Sequence, residues 1–163
     1  MPFFVKEVNP VLENLYKQIV MDHYKNPRNK GRLEGGGAFQ FPYKNPTCGD
    51  VVVLYMNIGD DNKIHDIKFE GEGCSISMAS CSMMTDLVKG KSVEEARDLI
   101  GAFHNMIKKG ELPEDEEKLG DAVSLSGVHK LRARHNCSLL GWNGLEKAII
   151  QHEQKHKQET EQR

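Results

Sequence analysis

A chain of 163 residues with 22 Lys+Arg against 24 Asp+Glu, net charge −2, has the length of one domain and can bury roughly 68–70% of the surface its unfolded form exposes. It needs neither metal nor disulfides merely to stay folded, and the lack of a basic block argues against nucleic acid as a partner. Met1-Pro2-Phe3-Phe4-Val5-Lys6 lacks the apolar core of a signal peptide, and the longest apolar run, Val51 to Met56, is far too short to span a bilayer, so a cytoplasmic protein with no membrane partner is expected.

Val11, Leu12, Leu15, Tyr16, Ile19 and Val20 recur at helical spacing, predicting an amphipathic helix that ends before Lys25-Asn26-Pro27. Gly35-Gly36-Gly37 turns the chain into a short edge strand at Ala38 to Tyr43. Val51 to Ile58 and Ile64 to Gly71 then read as an antiparallel hairpin around Gly59-Asp60-Asp61-Asn62. Beyond it the period changes to 3.6. Ile76, Ala79, Met83 and Leu87 form the stripe of a helix ending near Gly90, and Ser92-Val93-Glu94-Glu95 opens another with a capping box. Its inward positions are Val93, Ala96, Ile100, Phe103 and Ile107. Lys108 to Gly120 is charged and reads as an exposed loop. A last helix runs from about Cys137, with Leu140, Leu145, Ala148 and Ile149 on one face, into a polar tail, Gln151 to Arg163, whose His152 and His156 read as solvated surface. Strands first and helices afterwards predict an α+β fold, a small three-stranded antiparallel sheet with helices packed on one face. The expected organisation is a single domain over 1–163, its core within about 10–150.

Three of the four cysteines stand at element boundaries beside Gly, Asp or Arg. Cys48 and Asp50, one glycine apart in an extended loop, point the same way and can reach one ion. Cys74 follows Gly71-Glu72-Gly73 and opens a helix, whose dipole favours thiolate, and Cys137 gains similar help with Arg132 and Arg134 nearby. Three thiols and a carboxylate are a complete shell for one tetrahedral divalent metal, zinc first among the candidates. Cys81 lies two helical turns beyond Cys74, about 10 Å away, too far to share an ion whose ligands sit within ~4 Å of one another; it reads as a core or near-surface thiol. His135, two residues before Cys137, is expected to face away. Cysteines in a reducing compartment point to metal or sulfur chemistry more than to disulfides.

At these residues the chain resembles the IscU/NifU-N-like family of iron–sulfur cluster assembly proteins, and its SufU branch in particular. The similar stretches are Leu15-Tyr16, Met21 through Gly31, Asn45 through Asp50, Phe69 through Ser77 with Ala79-Ser80 and Ser82-Met83-Met84, Lys89-Gly90-Lys91, and Arg134 and Cys137 with Leu140, Trp142 and Leu145-Glu146. Two features favour the SufU branch. Val128-His129-Lys130-Leu131-Arg132 stands where IscU proteins carry Leu-Pro-Pro-Val-Lys, and Asn136 where they carry His; the segment between Lys108 and Val128 resembles the SufU-type insertion. Asn136 also departs from the Lys usual in the SufU branch.

The resemblance implies a partner of a PLP-dependent cysteine desulfurase (SufS-type) that hands sulfur on to downstream iron–sulfur assembly proteins. Cys48, Asp50, Cys74 and Cys137 would hold zinc, and the protein would act as a zinc-dependent sulfurtransferase. The alternative is a non-enzymatic scaffold carrying iron, as a nascent Fe–S cluster, on the same cysteines. Because persulfide transfer needs a free thiolate, Cys48, on the loop with Gly49, is the expected nucleophile, with Arg134 orienting it or the incoming sulfur. A zinc hydrolase or deaminase is a third reading, weakened because no His-x-Glu or His-Glu-x-x-His element accompanies the cysteines.

Overall fold

A computed structural model describes residues 3–4, 10–46 and 49–161. In chain order the elements are β1 (Phe3–Phe4), α1 (Pro10–Lys25), β2 (Phe39–Lys44), β3 (Val51–Ile58), β4 (Ile64–Glu72), α2 (Ser75–Val88), α3 (Val93–Lys109), β5 (Glu111–Leu112), a 3₁₀ segment (Glu116–Lys130), a short 3₁₀ turn (Arg132–Arg134) and α4 (His135–Glu161). Strands β2, β3 and β4 form an antiparallel sheet with β3 in the middle. Phe39 pairs with Met56 and Val51 with Glu72, and a bulge at Asn57/Ile58 leads into the hairpin turn. Pro42 sits in β2, an edge strand, where its missing N–H leaves the ladder intact. The predicted α+β fold is the one observed.

Val52, Leu54 and Met56 of β3 and Ile67 and Phe69 of β4 are buried on the face covered by α2 and α4. Trp142 of α4 stacks on Phe103 of α3, centroids 4.4 Å apart, and both are fully buried. α2 departs from the amphipathic expectation. Every residue from Ser77 through Thr85 is buried, because the helix is enclosed by α1, β4, α4 and the 3₁₀ segment.

Three further stretches differ from expectation. On α1 only His23 is fully buried; Val11 is 81% and Leu15 48% exposed, so the first part of the predicted apolar stripe faces solvent, while Ile19 and Val20 pack partly buried against the core. The segment after α3 is not a plain exposed loop: Leu112 pairs with Phe3 in a two-residue ladder, and Leu119 is fully buried. The polar tail is helical through Glu161 as a continuation of α4. Among the described residues no helix is long and apolar enough to cross a membrane.

Ser92 accepts from the Glu95 N–H, and the Glu95 side chain reaches back to the Ser92 N–H, completing the capping box. Ser92→Ala should lower unfolding stability by about 1 kcal/mol. The expected readout is a lower urea midpoint at unchanged m-value; an unchanged midpoint would show that the cap contributes nothing.

Candidate metal centre

The loop before β3 closes on itself. The Asn45 N–H donates to the Asp50 carbonyl (2.9 Å) and the Gly49 N–H to the Asn45 carbonyl (3.2 Å), with Gly49 at φ 75°, a left-handed conformation that glycine adopts without strain. Asp50 therefore stands just ahead of β3. The hairpin brings the chain back to the same end, where Glu72 of β4 pairs with Val51, and Cys74 is the N-cap of α2. Cys137, buried, is the third residue of α4. One ligand atom from each of Asp50, Cys74 and Cys137 lies within 4.8 Å of the other two. Cys48 falls outside the described residues.

Ser77 joins two members of this group. Its hydroxyl donates to Asp50 Oδ2 at 2.6 Å and lies 3.4 Å from Cys74 Sγ. Gly73 makes the approach feasible: a Cβ there would stand 3.0 Å from the Asp50 carboxyl and 3.2 Å from Ser77 Cβ. Sequence reasoning misses Ser77. The available signal is a serine three residues after a helix-opening cysteine, the N3 position where a side chain meets the N-cap residue.

Burial pushes the Cys74 thiol pKa up, but hydrogen bonds from the Ser77 side chain and backbone, the Ile76 N–H and Cys137 outweigh it, and the result lies below the ordinary thiol value. Cys81 is the opposite case. It is fully enclosed, and burial pushes its thiol up to about 12, so it stays neutral and apart from the group. Arg134 is exposed at the end of the short 3₁₀ turn, three residues before Cys137. His135 faces elsewhere: its Nε2 is 2.7 Å from the His129 carbonyl, and its ring stacks on that of His129. Two thiols and a carboxylate so placed suit a borderline divalent ion such as zinc.

The model of the NifU-like N-terminal domain matches residues 15–138. The chain belongs to this family. It is 48% identical over 145 residues to the zinc-dependent sulfurtransferase SufU of Bacillus subtilis, covering 89% of this chain and 96% of that protein. It is 49% identical over 138 residues to the iron–sulfur cluster assembly scaffold protein IscU of Streptococcus pyogenes, covering 85% and 84%. Among solved structures, a putative iron–sulfur cluster assembly scaffold protein for the SUF system of Fervidobacterium islandicum superposes with a TM-score of 0.72 at 36% identity, over 82% of this chain and 96% of that one. Relatives of this NifU-like domain thus carry both names that the sequence suggested, sulfurtransferase and scaffold.

The two thiols of α2 differ in a way that chemistry can read. Burial that pushes its thiol up to about 12 keeps Cys81 protonated at pH 8, and only the thiolate reacts. Iodoacetamide at pH 8 on the metal-free, folded protein should therefore alkylate Cys74 and spare Cys81 until denaturant is added, as peptide mapping will show. Labelling of Cys81 as fast as Cys74 in the folded protein would contradict its burial.

Proposed function

We propose that this protein is a zinc-dependent sulfurtransferase of iron–sulfur cluster assembly, accepting persulfide sulfur from a PLP-dependent cysteine desulfurase. The observation that carries the reading is the convergence of Asp50, Cys74 and Cys137 from three separate parts of the chain, in a domain 48% identical to a protein named for that activity. Cys48, two residues before Asp50, is assigned as the fourth ligand. When bound, zinc would hold the thiols deprotonated at neutral pH.

The protein's own residues then divide the work. Cys74 and Cys137 are fixed by helix starts, whereas Cys48 belongs to the segment between β2 and β3, and we assign Cys48 as the acceptor. Its thiolate attacks the outer sulfur of the desulfurase persulfide. A new S–S bond forms at Cys48, the old one breaks, and the desulfurase cysteine leaves as thiolate. Arg134, exposed beside the start of α4, is assigned to position the incoming sulfur by charge-assisted hydrogen bonding. We assign the desulfurase's docking surface to the apolar face next to the site. Tyr16 and Val20 of α1, Ile76 of α2, and Leu125, Val128 and Leu131 line an open cavity of about 770 Å³, and Ile76 lies two residues from Cys74. The sulfur would pass on to downstream iron–sulfur assembly proteins.

The name of the Streptococcus relative favours a second reading, a scaffold holding a cluster on the same residues. The absorption spectrum of the purified protein separates the two: zinc protein is colourless, cluster protein brown.

The assignment of ligands is tested by zinc content after dialysis. Cys74→Ala and Cys137→Ala should lose the metal and Cys81→Ala should keep it; the reverse would overturn the site. Gly73→Ala should weaken zinc retention by at least ~10-fold, since it crowds the Asp50 carboxyl that the ion needs, and leave the thermal midpoint nearly unchanged. Wild-type retention in that variant would show that Asp50 is not held against Ser77 in the bound state. For the transfer step, the protein is incubated with desulfurase and cysteine and mapped by mass spectrometry. The added sulfur is expected on Cys48; finding it on Cys137 or Cys81 would sink the acceptor assignment and leave the metal site standing.

A further inference from the structure

One His-Glu-x-x-His sequence does occur in the chain, His152-Glu153-Gln154-Lys155-His156, far from the cysteines and in the stretch expected to be a solvated tail. The structure makes that stretch part of α4, which puts the two histidines one turn apart on a single helix face. This spacing allows two imidazoles to share a metal ion. His152 continues the buried stripe of Leu145, Ala148 and Ile149 and is half-buried. Its ring stacks on Phe39 of β2, centroids 5.5 Å apart and planes 14° apart, which fixes its orientation as the supporting residues of metal sites do. The exposed His156 ring stands next in the stack, 6.3 Å from His152 at 11°. A ring nitrogen about 2 Å from zinc puts the ring centroid ~3.2 Å from it, so two imidazoles at the tetrahedral angle on one ion have centroids ~5.2 Å apart. The observed separation exceeds that by about 1 Å, so the exposed His156 must change rotamer to bring its nitrogen to a shared ion.

We propose that His152 and His156, joined by Glu159 on the next turn, form a second metal site that takes a borderline divalent transition-metal ion independently of Asp50, Cys74 and Cys137. Glu159 lies three residues beyond His156 and seven beyond His152 on the same face, close enough for its carboxylate to act on His152. Imidazole nitrogen with one carboxylate oxygen is a donor set for zinc, nickel, copper or ferrous iron. Burial, helped by the neighbouring His156 and opposed by Glu159, holds the His152 pKa below the ordinary imidazole value. Fifteen residues of one helix separate His152 from Cys137, about 22 Å, so the two sites cannot share an ion.

The element is not a hydrolase site. In zinc peptidases of this motif the glutamate acts as general base beside the metal, whereas Glu153 here is ion-paired with Arg97 of α3 and fastens α4 to that helix. What remains is a binding site open to solvent, at the opposite end of α4 from the cysteines.

Nickel is the probe, added to the untagged full chain in competition with a chromophoric chelator. The Cys74→Ala variant removes the thiolate site and isolates the second one; it should bind one nickel ion per chain. His156→Ala in that background should weaken this binding by at least ~10-fold, with an unchanged circular dichroism melt because His156 is exposed. His152→Ala should do the same, and His156→Ala alone decides the matter if loss of the Phe39 contact destabilises that variant. Nickel binding that survives His156→Ala undiminished, or no nickel bound by the Cys74→Ala chain, would overturn the proposal. Neither result bears on the cysteine site, whose zinc is read separately.

Discussion

The relative placement of α2 and α4 rests on one buried serine. Ser80 donates its hydroxyl to the Ser138 carbonyl at 2.6 Å and accepts from Trp142 Nε1 at 3.1 Å, with no exposure of Ser80, Ser138 or Trp142. Beside it Gly141 lets Cys81 in so closely that a Cβ on residue 141 would lie 2.7 Å from the sulfur. Cys74 is six residues before Ser80, and Cys137 adjoins Ser138. A helix advances 1.5 Å per residue, while a metal site tolerates about 0.2 Å in its ligand distances. A slip of one residue between α2 and α4 would therefore destroy the Cys74–Cys137 pairing. Such a slip would also leave Ser80 and Trp142 as buried polar groups without partners, at about 1–3 kcal/mol each. The cysteine that is not in the site thus helps to set the two that are.

The same logic runs along the rest of α2. An enclosed helix would ordinarily be apolar all round, yet Ser77, Ser82 and Thr85 are as buried as its methionines. Each has partners: Ser77 holds Asp50, and Thr85 donates to the Ser82 carbonyl. Ser82 receives the Arg28 N–H and lies 2.8 Å from His23 Nδ1, whose Nε2 faces Asp121 at 2.8 Å. Serine, histidine and aspartate in that order look like a hydrolytic triad, but Ser82 has no access to solvent or substrate. The arrangement pins α1 and the 3₁₀ segment to α2, and it is the one buried anchor of α1. Val11 and Leu15 are left at the surface, and Tyr16 and Val20 line the cavity that reaches Ile76.

The strands and helices were legible where local signals act alone: the alternation of Ile67 and Phe69 against Asp66, Lys68 and Glu70, the capping box at Ser92, the turn at Gly59. So was the gathering of Asp50, Cys74 and Cys137, because each stands where one element passes into the next. Three features were not legible. α1 has the period of a buried face, but period reports amphipathicity and not what covers it. The 3₁₀ segment from Glu116 to Lys130 has no helical periodicity to read, and Gly120 breaks it with non-helical backbone; Leu119 is buried only because α3 and α2 are there to receive it. On α2, small polar residues look like a solvent face until their partners on distant segments are known.

These two halves of the architecture have different consequences for the site. Cys74 and Cys137 sit on helices whose contacts are fixed by fully buried side chains, and removing an ion would not release those contacts. Asp50 is held by a loop that closes through its own backbone hydrogen bonds and by one serine hydroxyl, interactions worth only about 1 kcal/mol each in net stability. A structural zinc site would be expected to draw its ligands from segments that need the metal in order to fold. Here a core running through the sheet, α2, α3 and α4 makes that unnecessary. A pair of sulfurs fixed by buried helices, set against a carboxylate held by a few hydrogen bonds, is instead the division expected of a metal site that the fold does not depend on.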